Sequence, residues 1–328
     1  MITDSFGRVA RKLRISITDR CNMRCMYCMP YNNTEWFEQD NVLSYQEIFN
    51  LSNIFAGLGI KRIRVTGGEP TIRPKIEDLI SSLSKIRGIQ SVSMTTNGLL
   101  LREKVKQLKQ AGLASVNISL DTFRADRFKS ICGIDGLNQV LASIQAADDA
   151  GLKLKINTVV VRGWNDDEVV DFARFARSMG YTVRFIEFMP LDGRGIWGLN
   201  LVVSKREMIE RINRNIKGLV PLKNDSSEPA MLYSFLDGKG TIGFIPSITE
   251  PFCQYCDRIR ITSEGMLMTC LFANAGYDLK SLLRSKKSED EIKSYILECI
   301  KKKPEGVVSI IRSNALRPSL NLMHRIGG

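Results

Sequence analysis

LRISITDRCNMRCMYCMP, residues 13–30, runs an apolar β-rich segment into a polar turn and then into three cysteines within eight residues. The same grammar recurs. RIRVT (62–66) is followed by Gly67-Gly68-Glu69-Pro70, SVSMT (91–95) by Thr96-Asn97-Gly98, and SVNISL (115–120) by Asp121. KINTVVV (155–161) and VRFIEF (183–188) read as further strands, the last running into Met189-Pro190. Between them lie amphipathic stretches such as YQEIFNLSNIFAGLG (45–59) and DEVVDFARFARSMG (167–180), both closing on glycine as helix C-caps often do. Strand–helix alternation predicts a parallel sheet with helical crossovers. About six such units precede residue 190, fewer than a full eightfold barrel needs. The expected fold is therefore α/β, a partial (βα)6 TIM-like barrel, with a doubly wound sheet as the alternative. Small and polar residues gather at the C-terminal ends of the strands, where such folds carry their active sites, although turns also favour these residues.

Beyond residue 190 the pattern changes. DGRGIWG (192–198) reads as a loop, and MLYSFL (231–236), TIGFI (241–245), RIRIT (258–262) and MLMTC (266–270) as short strands. SEG (263–265) between the last two suggests a hairpin. Helices are expected at 278–285 and 289–301, with Lys301, Lys302 and Lys303 suiting the negative end of the second. The predicted organisation is a barrel over 1–190 and a smaller C-terminal α+β subdomain over 191–328 that closes its open side.

The composition is that of a globular protein: 328 residues, 44% apolar, 25% charged, 8% aromatic, without repeats or low-complexity tracts. MITDSFGRVARKL has no apolar core of a secretory signal, and no apolar run is long enough to span a membrane, so a cytoplasmic protein is expected. The net charge of +12 asks for an anionic partner, and nucleic acid, a membrane surface and a phosphate ligand all satisfy it. In a reducing compartment the eight cysteines are metal candidates. Six form two triplets: Cys21, Cys25 and Cys28 in C-x3-C-x2-C, and Cys253, Cys256 and Cys270 in C-x2-C-x13-C. Cys132 and Cys299 look solitary and read as small buried hydrophobes. Structural zinc takes four Cys or His ligands, and the single histidine, His324, cannot complete two such sites. A cubane iron–sulfur cluster on three thiolates keeps one iron open for another ligand.

CNMRCMYC resembles the cluster motif of the radical S-adenosylmethionine (SAM) superfamily, and GGEP its site for the SAM amino group. LRISITDRCNMRCMYCMP, RIRVTGGEP, TTNGLLL, NISLD, RFIEFMP, FCQYCDRIRIT, CLF and a terminal MHRIGG together resemble the GTP 3′,8-cyclase family, in order and over nearly the whole chain. The resemblance implies two [4Fe-4S] clusters. Cys21, Cys25 and Cys28 would hold the first, whose open iron binds SAM. Tyr27, Gly68, Ser119 and Met189 would contact SAM; shielding of the cluster is the alternative for Tyr27, and core packing for Met189. Cys253, Cys256 and Cys270 would hold the second, its open iron toward the guanine of GTP. A 5′-deoxyadenosyl radical would take hydrogen from C3′, and C3′ would bond to C8, giving (8S)-3′,8-cyclo-7,8-dihydro-GTP in the first step of molybdenum cofactor biosynthesis. The family further implies an electron donor, a homodimer and a Gly327-Gly328 tail that enters the active site; a frayed terminus and a conjugation tail are the alternatives. Arg14, Arg258 and Arg260 would join that tail in catalysis.

The basic residues speak to the same ligand. Arg258 and Arg260 alternate with apolar residues on one strand, as do Arg62 and Arg64, and Lys153 and Lys155. Cations inside a parallel sheet are costly unless they meet an anion, whereas at exposed strand ends they need none. With the resemblance, Arg14, Arg64, Thr95, Lys155, Arg184, Arg258, Ile259 and Arg260 are the expected GTP contacts. Two rivals predict otherwise. Another radical SAM enzyme with an auxiliary cluster, acting on a peptide, needs no phosphate cradle. A zinc-stabilised nucleic-acid-binding protein would be colourless and bind DNA or RNA with steep salt dependence; with the family match no nucleic acid and no membrane is expected as partner.

Overall fold

The computed structural model describes residues 1–30, 35–223, 227–273, 275–312 and 323–327. Six strands alternate with helices: β1 (Lys12–Ser16), α1 (Tyr45–Gly57), β2 (Arg62–Thr66), α2 (Ile76–Ser84), β3 (Ser91–Thr96), α3 (Leu101–Gln110), β4 (Leu113–Ser119), α4 (Ala125–Cys132), α5 (Leu137–Asp149), β5 (Lys153–Val160), α6 (Val169–Met179) and β6 (Thr182–Glu187). They pair in parallel in chain order, as the alternation predicts. After them come α7 (Lys205–Asn215), β7 (Leu219–Pro221), β8 (Met231–Phe235), β9 (Thr241–Ile245), β10 (Arg258–Ile261), β11 (Met266–Met268), β12 (Tyr277–Asp278), α8 (Lys280–Arg284), α9 (Glu289–Lys301), α10 (Val307–Arg312) and α11 (Met323–Ile326).

The chain beyond residue 190 extends the sheet at both ends. β9 pairs in parallel with β6, and β10 in parallel with β1, giving eight consecutive parallel strands. Antiparallel β8 and β7 continue from β9, and β11 and β12 from β10. Among the described residues the order runs from β12 to β7 without closing, so the barrel is open. β10 and β11 form the hairpin expected around SEG, but β11 ends at Met268, leaving Cys270 in the loop beyond it. β5 starts at Lys153, two residues before the apolar run, because Lys153 pairs with Ser115.

The strands alternate. Leu13, Ile15, Ile63, Val65, Val116, Ile118, Val183, Phe185, Ile259 and Ile261 are buried in the core shared with the helices. Each such side chain stabilises the fold by about 1.5–3 kcal/mol. The opposite face carries Arg14, Arg64, Lys155, Arg184 and Arg260 at the intervening positions, so it is polar, not apolar. α1 and α9 start with reciprocal capping boxes, Ser44 with Glu47 and Ser288 with Glu291. α9 ends at Lys301, and Lys303 does not serve its dipole end: it turns inward and is 4% exposed. A second, smaller apolar cluster of Leu191, Phe272, Val307 and Ile310 packs with Cys253, Cys270 and Met189. No helix among the described residues is long and apolar enough to cross a membrane.

Candidate active site

The loop after β1 carries the first triplet. It is tied to the end of α4 by backbone N–H groups of Arg24 and Met26, which donate to the carbonyls of Cys132 (2.8 Å) and Ile131 (2.9 Å). Cys21, Cys25 and Cys28 line one cavity of about 180 Å³. Burial and the nearby Glu69 carboxylate push the Cys21 thiol up to about 12, and burial with its two partner thiols also raises Cys28. Such thiols ionise readily only against a cation. Among the described residues no three Cys, His, Asp or Glu side chains converge closely enough for a single metal ion. Cys21, Cys25 and Cys28 line the first cavity, and Cys253, Cys256 and Cys270 line another.

The other walls come from strand ends. Gly68 lines the cavity, and a Cβ there would lie 2.2 Å from the Arg20 carbonyl oxygen. The close approach that requires glycine is thus between the GGEP turn and the cysteine loop, fastened by Gly68 N–H to Thr18 O (2.7 Å) and Glu69 N–H to Arg20 O (2.8 Å). Glu69 is fully buried; burial raises its carboxyl, while donors from Thr71, Thr96 and Asn97 favour the charged form. Tyr27 donates its hydroxyl to Asp121 (2.5 Å), which burial pushes up to about 6. Ser119 and Thr95 also line this cavity. Met189 lines both this cavity and a second one of about 70 Å³, ringed by Cys253, Cys256 and Cys270.

Arg258 and Arg260 line the second cavity. Pairing sets Arg260, Arg14 and Arg64 side by side on adjacent strands, and Lys155 beside Asn117, while Arg184 is held by Asn157 (2.7 and 2.9 Å). Burial, then repulsion from Arg260, Arg64, Arg258 and Arg184, drives Arg14 well below its ordinary value. Burial first, then neighbouring arginines, lowers Arg64 and Arg260 to about 10 and Arg184 to about 9. Burial and Arg184 also lower Lys155. Arginine keeps its proton at neutral pH, so these shifts describe a lumen that attracts anions. Ile259 is the exception: its side chain turns to the apolar core, because neighbours in a strand point to opposite faces. Arg62 stands exposed at the start of β2 and pairs with Glu228 (3.2 Å), which also pairs with Lys12 (2.9 Å).

The tail enters the same space. Gly327 lies against Ser16 and Thr66 at φ +78°, and its carbonyl accepts from Arg260. His324, 1% exposed, lines the first cavity beside the Cys28 backbone and stacks edge-on with Trp36. Gly328 lies outside the described residues. Cys132 and Cys299 are buried in the core as expected, but Cys132 is not solitary: the end of α4 brings it to the wall of the first cavity beside Cys25. Asp121, Asn97, His324 and Lys303 are site neighbours that sequence reading did not single out as such. The turn signals after β3 and β4 pointed to Asn97 and Asp121; His324 stood out only as the single histidine within MHRIGG, and Lys303 only as a helix-end cation.

Residues 15–176 match the family model described as the radical SAM superfamily, and residues 181–308 match Molybdenum Cofactor Synthesis C. The structure of Streptococcus suis SuiB bound to S-adenosylmethionine shares the fold, with a TM-score of 0.62 at 16% identity over 93% of this chain and 74% of that one. Fold, cysteine loop and family model define a radical SAM protein, a class that uses SAM and an iron–sulfur cluster. The GTP 3′,8-cyclases of Thermodesulfovibrio yellowstonii and Clostridium botulinum (strain Langeland) are each 42% identical to this chain over 327 residues, covering 99% of both partners. Human molybdenum cofactor biosynthesis protein 1 is 40% identical over 89% of this chain and 46% of its own length. The chain belongs to the GTP 3′,8-cyclase family.

Proposed function

We propose that this chain cyclises GTP to (8S)-3′,8-cyclo-7,8-dihydro-GTP, the opening step of molybdenum cofactor biosynthesis, and that each cysteine triplet holds its own [4Fe-4S] cluster. One observation carries the reading: two cysteine-ringed cavities share Met189 as a wall, and the second shares arginines with a cationic lumen. When bound, the cluster and SAM would supply a 5′-deoxyadenosyl radical able to take hydrogen from C3′ of the ribose; the C3′ radical would add to C8 of guanine, and one electron from the external donor together with a proton would complete the 7,8-dihydro product. The chain's own residues position and shield. Tyr27, Gly68, Ser119 and Met189 form the SAM side of the cavity. Arg258 and Arg260 lie nearest the second triplet, where they meet the nucleotide, while Arg14, Arg64, Lys155 and Arg184 extend the cationic lumen for the triphosphate, with Thr95 between Arg64 and the first cavity. Ile259 contributes only backbone. Arg260 donates to the Gly327 carbonyl, and the Gly327-Gly328 tail is assigned the role of ordering Arg260 and excluding water.

The reading also includes an external electron donor, a homodimer, a cytoplasmic setting that keeps the thiols reduced, and a boundary near residue 190 between a barrel over 1–190 and a cluster-bearing part over 191–328. Anaerobic reconstitution tests it. The chain should bind iron for two cubanes, about eight atoms, and convert GTP in the presence of SAM and a reductant. A colourless zinc-containing product, or SAM cleavage with no turnover of GTP, would refute it.

A further inference from the structure

The first ten residues carry no role in the chemistry above, yet they bury two charges. Asp4 and Arg8 are 6% and 8% exposed, and Lys303, at the far end of the chain, is 4% exposed. Residues Thr3 and Val9 bridge antiparallel, and the turn between them sets Arg8 Nε 2.6 Å from Asp4 Oδ2. Asp4 Oδ1 accepts from the backbone N–H groups of Phe6 (2.9 Å) and Arg8 (3.0 Å). Buried charges persist only when paired and hydrogen-bonded, so this arrangement has to satisfy something.

What it satisfies is the backbone of the second cysteine loop. Arg8 Nη1 donates to the carbonyls of Cys253 (2.9 Å) and Glu305 (2.6 Å), and Nη2 to that of Pro304 (2.7 Å). Lys303 Nζ donates to the carbonyls of Cys256 (3.0 Å) and Arg258 (3.1 Å), lies 3.8 Å from Cys256 Sγ, and is 4.0 Å from Asp4 Oδ2. Cys253 to Tyr255 form only a single 3-10 turn, so few of these carbonyls have partners in regular structure. One carboxylate against two cations leaves a net positive charge beside the thiols.

We propose that Asp4, Arg8 and Lys303 form a buried charge brace that fixes the Cys253–Cys256 loop and places a permanent positive charge against the cluster it holds. This rests on the second-cluster assignment above. These are positioning residues. Arg8, with its planar fork, holds three carbonyls from two segments at once, and lysine could not replace it. Lys303 also acts on the cluster's charge: a nearby cation stabilises the reduced form, which raises the reduction potential.

The test uses a full-length background in which Cys21, Cys25 and Cys28 are all alanine, so that only the second site can hold iron. This background should bind about four irons, with a cubane electron paramagnetic resonance signal when reduced. Adding Lys303→Met should keep the iron but move the midpoint to more negative potential, and Lys303→Arg should restore most of it. Adding Arg8→Met should lose most of the iron, and Arg8→Lys should not recover it. In the otherwise native chain, Arg8→Met should still cleave SAM at the first cluster, which separates loss of the brace from loss of the fold. A background that binds no iron overturns the second-cluster reading and the brace with it. A background that binds iron but is indifferent to both Lys303→Met and Arg8→Met overturns the brace alone.

Discussion

At Gly327 a Cβ would lie 2.4 Å from the Thr66 methyl, and φ is +78°, a backbone state costing other residues about 1–2 kcal/mol. Gly327→Ala should therefore unseat the tail and lower cyclisation about tenfold or more, with iron content and melting temperature unchanged; full activity would mean that the tail serves no purpose there. Deleting Gly327 and Gly328 should have the same effect more completely. Arg258 and Arg260 make a second residue-level prediction. Each charge-assisted bond to phosphate or base is worth roughly 1.5–3 kcal/mol. Alanine at either position should weaken GTP binding by about ten to more than a hundredfold, and lysine should rescue only part. Calorimetry of the anaerobic protein reads this directly, and unchanged affinity in both alanine variants would remove them from the site. The period-two arginines were legible in the sequence because alternation fixes which side chains share a face. The same alternation turns the Ile259 side chain, between two lumen-facing arginines, to the core.

Among the elements, strand and helix existence followed from periodicity and caps, while partnership did not. TIGFI and the SEG hairpin are strands as read, yet nothing local says that β9 lies beside β6 or that β10 lies beside β1. Those neighbours are chosen by long-range pairing, and they carry Arg258 and Arg260 to Arg14. Lys303 escaped for a similar reason, since a lysine after a helix looks like a dipole partner until the fold brings the Cys256 carbonyl to it. The start of α1 joins a local cap to one long-range pair and gives a further prediction. Ser44 and Glu47 cap each other, and Arg284 pairs with Glu47 at 2.7 Å, holding its carboxyl at about 2 against an ordinary 4.5, chiefly through the Arg284 hydrogen bond. A lowered folded value means that the stabilisation is complete above pH 4.5 and is lost as pH falls toward 2. Because the pair is largely solvent-screened, Glu47→Gln should cost only about 0.5–1 kcal/mol at pH 7. Urea titrations should show that difference narrowing between pH 4.5 and 3, and a gap that widened on acidification would contradict the assignment.

Across the whole molecule the two triplets occupy separate cavities that meet at Met189, so their functions should separate too. Cys28→Ala should abolish SAM cleavage and leave about half the iron, whereas Cys256→Ala should keep SAM cleavage and lose GTP cyclisation. Loss of all iron in either variant would mean one shared site. The central claim is that GTP sits where a SAM-derived radical reaches its C3′ hydrogen, and isotope transfer tests it most directly. Incubating the anaerobically reconstituted protein with SAM, reductant and GTP deuterated at C3′ should yield 5′-deoxyadenosine carrying deuterium, detected by mass spectrometry, and the transfer should collapse in Arg260→Ala. 5′-Deoxyadenosine formed in the presence of that GTP without deuterium would contradict the account.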